Sequence, residues 1–212
     1  ISRRIGHFVS QLVEDGATLQ IGFGYLPNVI LRYLDQKKDL GIHTQLVTDG
    51  LMPLFEKGVV TNRKKSLLPG RVVASLCMGS AKLYQFVDNN PAFYFRSSEF
   101  VNDPTVIARN DHLISISSAL EVDLTGQVCT DSMGYLFYSG IGDQVELGLG
   151  IELRCDHADG LHGRSLPRRW PVGEQPLDAA HGLRIPERRP VVVQRRSQEL
   201  NLGTGRGVLG RS

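Results

Sequence analysis

Short apolar runs alternating with helix-patterned stretches predict an α/β protein: a mostly parallel open sheet with helices on both faces, followed by an irregular Arg-rich C-terminal tail. Glycine-bearing turns follow several of the apolar runs, as strand-to-helix connections require. The composition also shifts after about residue 147: residues 151–212 hold eleven Arg and no Lys, whereas residues 1–150 hold seven Arg and six Lys. A domain over residues 1–147 and an atypical, poorly ordered tail over 148–212 are therefore expected.

In chain order, "ISRRIGHFVSQLVEDG" places Ile1, Ile5, Phe8, Val9, Leu12 and Val13 at helical spacing, and Gly16 ends the run. Opening on Ile rather than Met, it reads as an internal start. Strands are expected at "LQIG", "TQLVTD", "VVASLC", "AFYF" and "LISISSALEVDL". Between the first four lie the helical stretches "PNVILRYLD", "MPLFEKG" and "SAKLYQFVD", the last capped by Ser80. In the tail, dense Pro and Gly oppose any long helix, and only "PVVVQ" resembles a strand. An Arg-rich arm for acidic partners is the alternative reading of that segment.

Several function classes are disfavoured at once. The formal charge of +2 provides no field for nucleic acid or an anionic membrane surface. No apolar run approaches the roughly 20 residues that span a bilayer. Cys77, Cys129 and Cys155 are odd in number and scattered, as reduced thiols of a cytoplasmic protein would be. Cys155, His157, His162 and His181 have no metal-site spacing, so no metal is expected. "GRGVLG" at 205–210 matches a dinucleotide fingerprint but has no following helix, and is read as chance.

Four stretches could carry chemistry. In "LQIGFGYLP", Gly22 and Gly24 let backbone approach a ligand and Pro27 sits at a helix start, although a tight connection without a ligand fits equally. If residues 113–124 form one strand, Ser115, Ser117, Ala119, Glu121 and Asp123 share a face, and two close carboxylates can divide acid and base roles. Such a face is also commonly just solvated. "YSGIGDQ" supplies a second glycine turn, and Arg63, Lys64 and Lys65 in "TNRKKS" form a basic loop that either meets phosphates or is simply wet.

Taken together, "LVEDGATLQIGFGYLPNVIL", "DLGIHTQLVTDG", "KGVVTN", "FVDNNP", "VNDPTVIARND", "SALEVDLTGQVC" and "YSGIGDQV" resemble the acetyl-CoA hydrolase/transferase family, close to its 4-hydroxybutyrate and acetate CoA-transferases. The likeness runs from residue 1 to about 145 and implies the second domain of a two-domain, homo-oligomeric enzyme. The implied reaction moves coenzyme A between an acyl-CoA and a short-chain carboxylate such as acetate, with coenzyme A as substrate and no tightly bound cofactor. An enzyme glutamate attacks the thioester and passes through an anhydride to a glutamyl-CoA thioester. The resemblance implies coenzyme A contacts at Gly22, Phe23, Gly24, Tyr25 and Leu26, at Leu120 in "SALEV", and at Gly140, Gly142 and Asp143 in "SGIGD". The glutamate's place in "GIHTELxxDG" is taken by Gln45, whose amide cannot act as that nucleophile, and Asp143 stands where glycine is usual. Three readings follow: a transferase with Glu121 as substitute carboxylate, a non-catalytic coenzyme A binder, or a truncated inactive product. Acyl-CoA hydrolysis is the neighbouring enzymatic alternative.

Overall fold

In the computed structural model, residues 2–122, 128–140 and 191–195 are described. Helix α1, Ser2–Leu12, precedes strand β1, Thr18–Ile21; α2, Tyr25–Leu31, leads to β2, Gly41–Val47. A 3-10 turn at Asp49–Leu51 and α3, Met52–Glu56, then precede β3, Val72–Cys77. Next come α4, Ala81–Val87, and β4, Phe93–Phe95. Two one-turn helices, α5 at Ser98–Val101 and α6 at Pro104–Ile107, lead into β5, Leu113–Ser118.

These five strands are parallel, in the order β5-β1-β2-β3-β4. The chain steps outward from β1 to β4 and returns to the other side of β1 for β5. The order therefore reverses between β1 and β5. A sixth strand, β10 at Val191–Arg195, pairs antiparallel with β5 and coincides with the "PVVVQ" run. Four two-residue strands lie outside this sheet: β6, Glu121–Val122, pairs with β7, Val128–Cys129, and β8, Ser132–Met133, with β9, Leu136–Phe137.

A parallel sheet covered on both faces buries its strands without alternation. All four residues of β1 are buried, as are the first five of β5. One face packs Leu19, Ile30, Leu34, Ile42 and Val72 into the main core, and the three rings of Phe55, Phe86 and Phe93 lie 5.4–5.8 Å apart at its edge.

Three sequence expectations change. The run from 113 is not one long strand: β5 ends at Ser118, and Glu121 lies exposed in the β6–β7 hairpin. Ser115 and Ser117 do not share a solvated face, because both are buried, and the Ser115 hydroxyl donates to Gln20 Oε1 at 2.6 Å. Asp123 lies outside the described residues. Helix α2 begins two residues earlier than its proline suggested, with Gly24 at the N-cap (φ 130°) and Pro27 in the first turn, where its missing N–H is not needed. The basic loop is solvated at Arg63 and Lys64 but not at Lys65. Lys65 is 3% exposed and its Nζ donates to the carbonyls of Ile42 (2.7 Å) and Arg71 (2.8 Å), and Lys64 approaches the Asp39 carboxylate.

The expected cap on α4 is present: Ser80 Oγ accepts from Leu83 N and donates to Asp49 Oδ1 at 2.6 Å. Ser80→Ala is expected to cost about 1 kcal/mol in urea unfolding, the usual loss for a helix cap.

Candidate functional site

In open parallel sheets, ligands settle beyond the carboxyl ends of the strands where the strand order reverses, because diverging loops leave a crevice there. Here that place lies between the ends of β1 and β5. A cavity of about 670 Å³ occupies it. The β1 turn contributes Gly22, Phe23 and Gly24, the β5 end contributes Ser117 to Leu120, and Tyr138, Ser139 and Gly140 come from the start of the second glycine turn. Gln45 and Leu46 from β2, with Leu76, Cys77 and Met78 from β3, complete much of the wall.

The two glycines of the β1 turn have separate physical reasons. Gly22 N donates to Ile116 O at 2.8 Å, pinning the turn to β5. A Cβ there would meet Ser117 Oγ at 2.8 Å and the Ile116 carbonyl at 3.2 Å, so a side chain cannot be accommodated without displacing β5. Gly24 adopts a positive φ that L side chains rarely take. Among the described residues, the N–H groups of Phe23 and Gly24 have no acceptor, so they remain available to a ligand oxygen.

Sequence reasoning missed Ser117 as a site residue. It is 6% exposed and lines the cavity, and its hydroxyl has no hydrogen-bond partner among the described residues. Its oxygen is fully buried against Gly22, so the unpaired hydroxyl is a cost of the close approach of the β1 turn to β5. Its only sequence signal was a small residue beside the phrase "SAL". Thr44 was missed too: its hydroxyl accepts from Ile21 N (3.2 Å) and donates to Ile21 O (3.0 Å), stitching the end of β1 to β2 beside Gln45.

The candidates of the sequence divide into three sets. Gly22, Phe23, Gly24, Gln45, Leu120 and Gly140 line the one cavity. Tyr25, Leu26 and Glu121 do not: Tyr25 is 77% exposed, Leu26 packs against the main core, and Glu121 follows Leu120 into the hairpin. Gly142 and Asp143 lie outside the described residues, as do Cys155, His157, His162 and His181.

The wall is mixed in character. Leu76 and Met78 are about half exposed and present apolar surface at the mouth. Burial, and then the negative charge of Asp49, pushes the Cys77 thiol up, keeping it protonated and weakly nucleophilic. Amide hydrogens, the hydroxyl-bearing side chains of Ser118, Thr130 and Ser139, and apolar flanks together suit a long ligand with a polar carbonyl near one end.

Residues 79–157 match the acetyl-CoA hydrolase/transferase C-terminal domain. The chain belongs to the acetyl-CoA hydrolase/transferase family. It is 46% identical over 153 residues to the 4-hydroxybutyrate coenzyme A transferase of Clostridium kluyveri, covering 72% of this chain and 36% of that protein. Among crystallographic neighbours, 4-hydroxybutyrate CoA-transferase from Porphyromonas gingivalis superimposes with a TM-score of 0.63 at 41% identity, covering 72% of this chain and 36% of that one. RipA from Yersinia pestis gives a TM-score of 0.67 at 40% identity over 71% of this chain and 34% of its own. The chain thus spans about a third of the length of these relatives.

Proposed function

We propose that this chain supplies the coenzyme-A-binding part of an acyl-CoA:carboxylate CoA-transferase, with the thioester end of the ligand in the cavity between β1 and β5. One observation carries this reading. Residues from four separate sequence phrases of the family, at Gly22–Gly24, Gln45, Leu120 and Gly140, line a single cavity. The amides of Phe23 and Gly24 would meet the thioester oxygen, where donors stabilise the negative charge that develops on attack. Gly142 and Asp143 continue the second glycine turn and are assigned to the same ligand.

For the transferred group we propose a short-chain carboxylate such as acetate as acceptor, through a carboxylate-linked enzyme intermediate. Gln45 occupies the place from which that carboxylate would come. Glu121, the residue after Leu120, is assigned as the substitute. The amide at position 45 favours a second reading of this chain, a coenzyme A binder with little turnover of its own.

Titration calorimetry with coenzyme A tests the proposal. Binding is expected at a dissociation constant of about 10–100 µM, in the ordinary range for a metabolite site. Gly22→Ala should weaken it at least about tenfold, equivalent to about 1.4 kcal/mol. Absence of heat with coenzyme A would remove the assignment.

A further inference from the structure

The β1 glycine turn is held from behind by a side chain that does not line the cavity. Asn28, on α2, donates from Nδ2 to the Gly24 carbonyl at 2.9 Å, and its Oδ1 accepts from the Thr48 hydroxyl. The amide orientation is fixed by its partners, since a carbonyl can only accept and the amide nitrogen must face it. Gly50 leaves the room this requires: a Cβ there would meet Asn28 Oδ1 and Leu31 Cδ1, each at 2.9 Å. Thr48 is the residue after β2, the strand that carries Gln45. The next residue, Asp49, accepts from Ser80 N and Oγ beyond the end of β3. Two adjacent residues therefore tie together the ends of three strands whose tips line the cavity.

From this geometry we infer that Asn28 is a positioning residue. It holds the Gly24 carbonyl, and with it the peptide joining Gly24 to Tyr25 at the exit of the turn, by anchoring it to the end of β2 through Thr48, which restricts the backbone that presents the Phe23 and Gly24 amides. The mechanical part stands on the hydrogen bonds alone; its effect on coenzyme A rests on the function proposed above. A turn with Gly24 at φ 130° has several accessible backbone states, and a side-chain clamp selecting one of them lowers the ordering cost of binding.

Asn28→Asp keeps an acceptor for Thr48 but removes the donor to Gly24, and Thr48→Val removes the other arm. Thr48→Ser retains the hydroxyl and serves as the rescue. The full chain and these variants are compared by hydrogen exchange of the Gly22 amide, whose bond to the Ile116 carbonyl holds the turn, and by coenzyme A titration, with thermal unfolding alongside. Expected are exchange about tenfold faster at the Gly22 amide and coenzyme A binding weaker by a similar factor in Asn28→Asp and in Thr48→Val. Thr48→Ser should behave as wild type, exchange in β1 and β5 should not change, and the double variant should be no worse than either single one, as for a shared unit. Unchanged turn exchange in Asn28→Asp overturns the inference, and so does acceleration spread evenly over the sheet, which would mark a general loss of stability. If wild type binds no coenzyme A while the turn still loosens in the variants, the clamp stands and the coenzyme A reading fails.

Discussion

Gln45→Glu, introduced into the chain fused to the preceding domain of a related 4-hydroxybutyrate CoA-transferase, is expected to raise acyl-CoA:carboxylate transfer by about 10³-fold or more, the scale on which enzymes respond to a missing nucleophile. The reason is chemical. A carboxylate offers an anionic oxygen that attacks the thioester carbonyl, forming a mixed anhydride as the C–S bond breaks and the coenzyme A thiolate leaves; a primary amide has no such oxygen at neutral pH. Position 45 lines the cavity together with Gly22, Gly24 and Ser117, so a carboxylate there would start beside the proposed thioester site. Labelled acetate exchange measures the rate, and intact-mass analysis after acyl-CoA addition should detect an enzyme–coenzyme A adduct in the Glu variant only. A wild-type fusion that is already fast, and that Glu121→Ala silences, would move the nucleophile to Glu121. If neither substitution alters the rate, neither side chain carries the chemistry.

How much of this was legible beforehand depended on whether a feature is local. The β1 strand, the glycine turn after it and the Ser80 cap are local matters of periodicity, turn chemistry and capping, and each lies where the residues indicated. The face assignment of β5 failed because alternation assumes one wet face, whereas helices and neighbouring strands leave Ser115 and Ser117 none. Lys65 was misread for a similar reason: its neighbours Arg63 and Lys64 look like a solvated run. Only the long-range approach of the Ile42 and Arg71 carbonyls reveals an ammonium used as an internal strut. Asn28 and Thr48 are separated by twenty residues, and nothing in either segment announces that they meet. The convergence of Gly22, Gln45, Leu120 and Gly140 was readable only through the family resemblance, since periodicity gives no distance between turns.

Acidification should destabilise the fold strongly between about pH 6.5 and pH 4, and His43 is the expected cause. This ring is 1% exposed; its Nε2 lies 2.8 Å from the Val101 carbonyl and its Nδ1 lies 3.4 Å from Asn110 Nδ2. The carbonyl needs a donor and the amide nitrogen needs an acceptor, which assigns the neutral tautomer with the proton on Nε2. Burial pushes the imidazole down to about 4 from 6.5, the Val101 hydrogen bond opposes that, and the Lys65 charge adds to it. With the folded value below the unfolded one, the unfolded chain binds the extra proton first, so the stabilisation is complete above pH 6.5 and is lost as pH falls toward 4. A difference of about 2.5 units at 1.36 kcal/mol per unit corresponds to about 3 kcal/mol, a large share of a domain's stability. Lys65 acts in the same direction at higher pH. Burial pushes its ammonium down from 10.5 to about 7, so stability should rise again between those values, tempered by the two carbonyls that favour the charged form. Urea unfolding at intervals from pH 4 to 10 reads both windows. Subtracting His43→Gln from wild type should leave a step below pH 6.5, and subtracting Lys65→Met a rise above 7. Parallel curves for wild type and His43→Gln below pH 6.5 would show that carboxylates elsewhere, and not this buried ring, govern the acid transition.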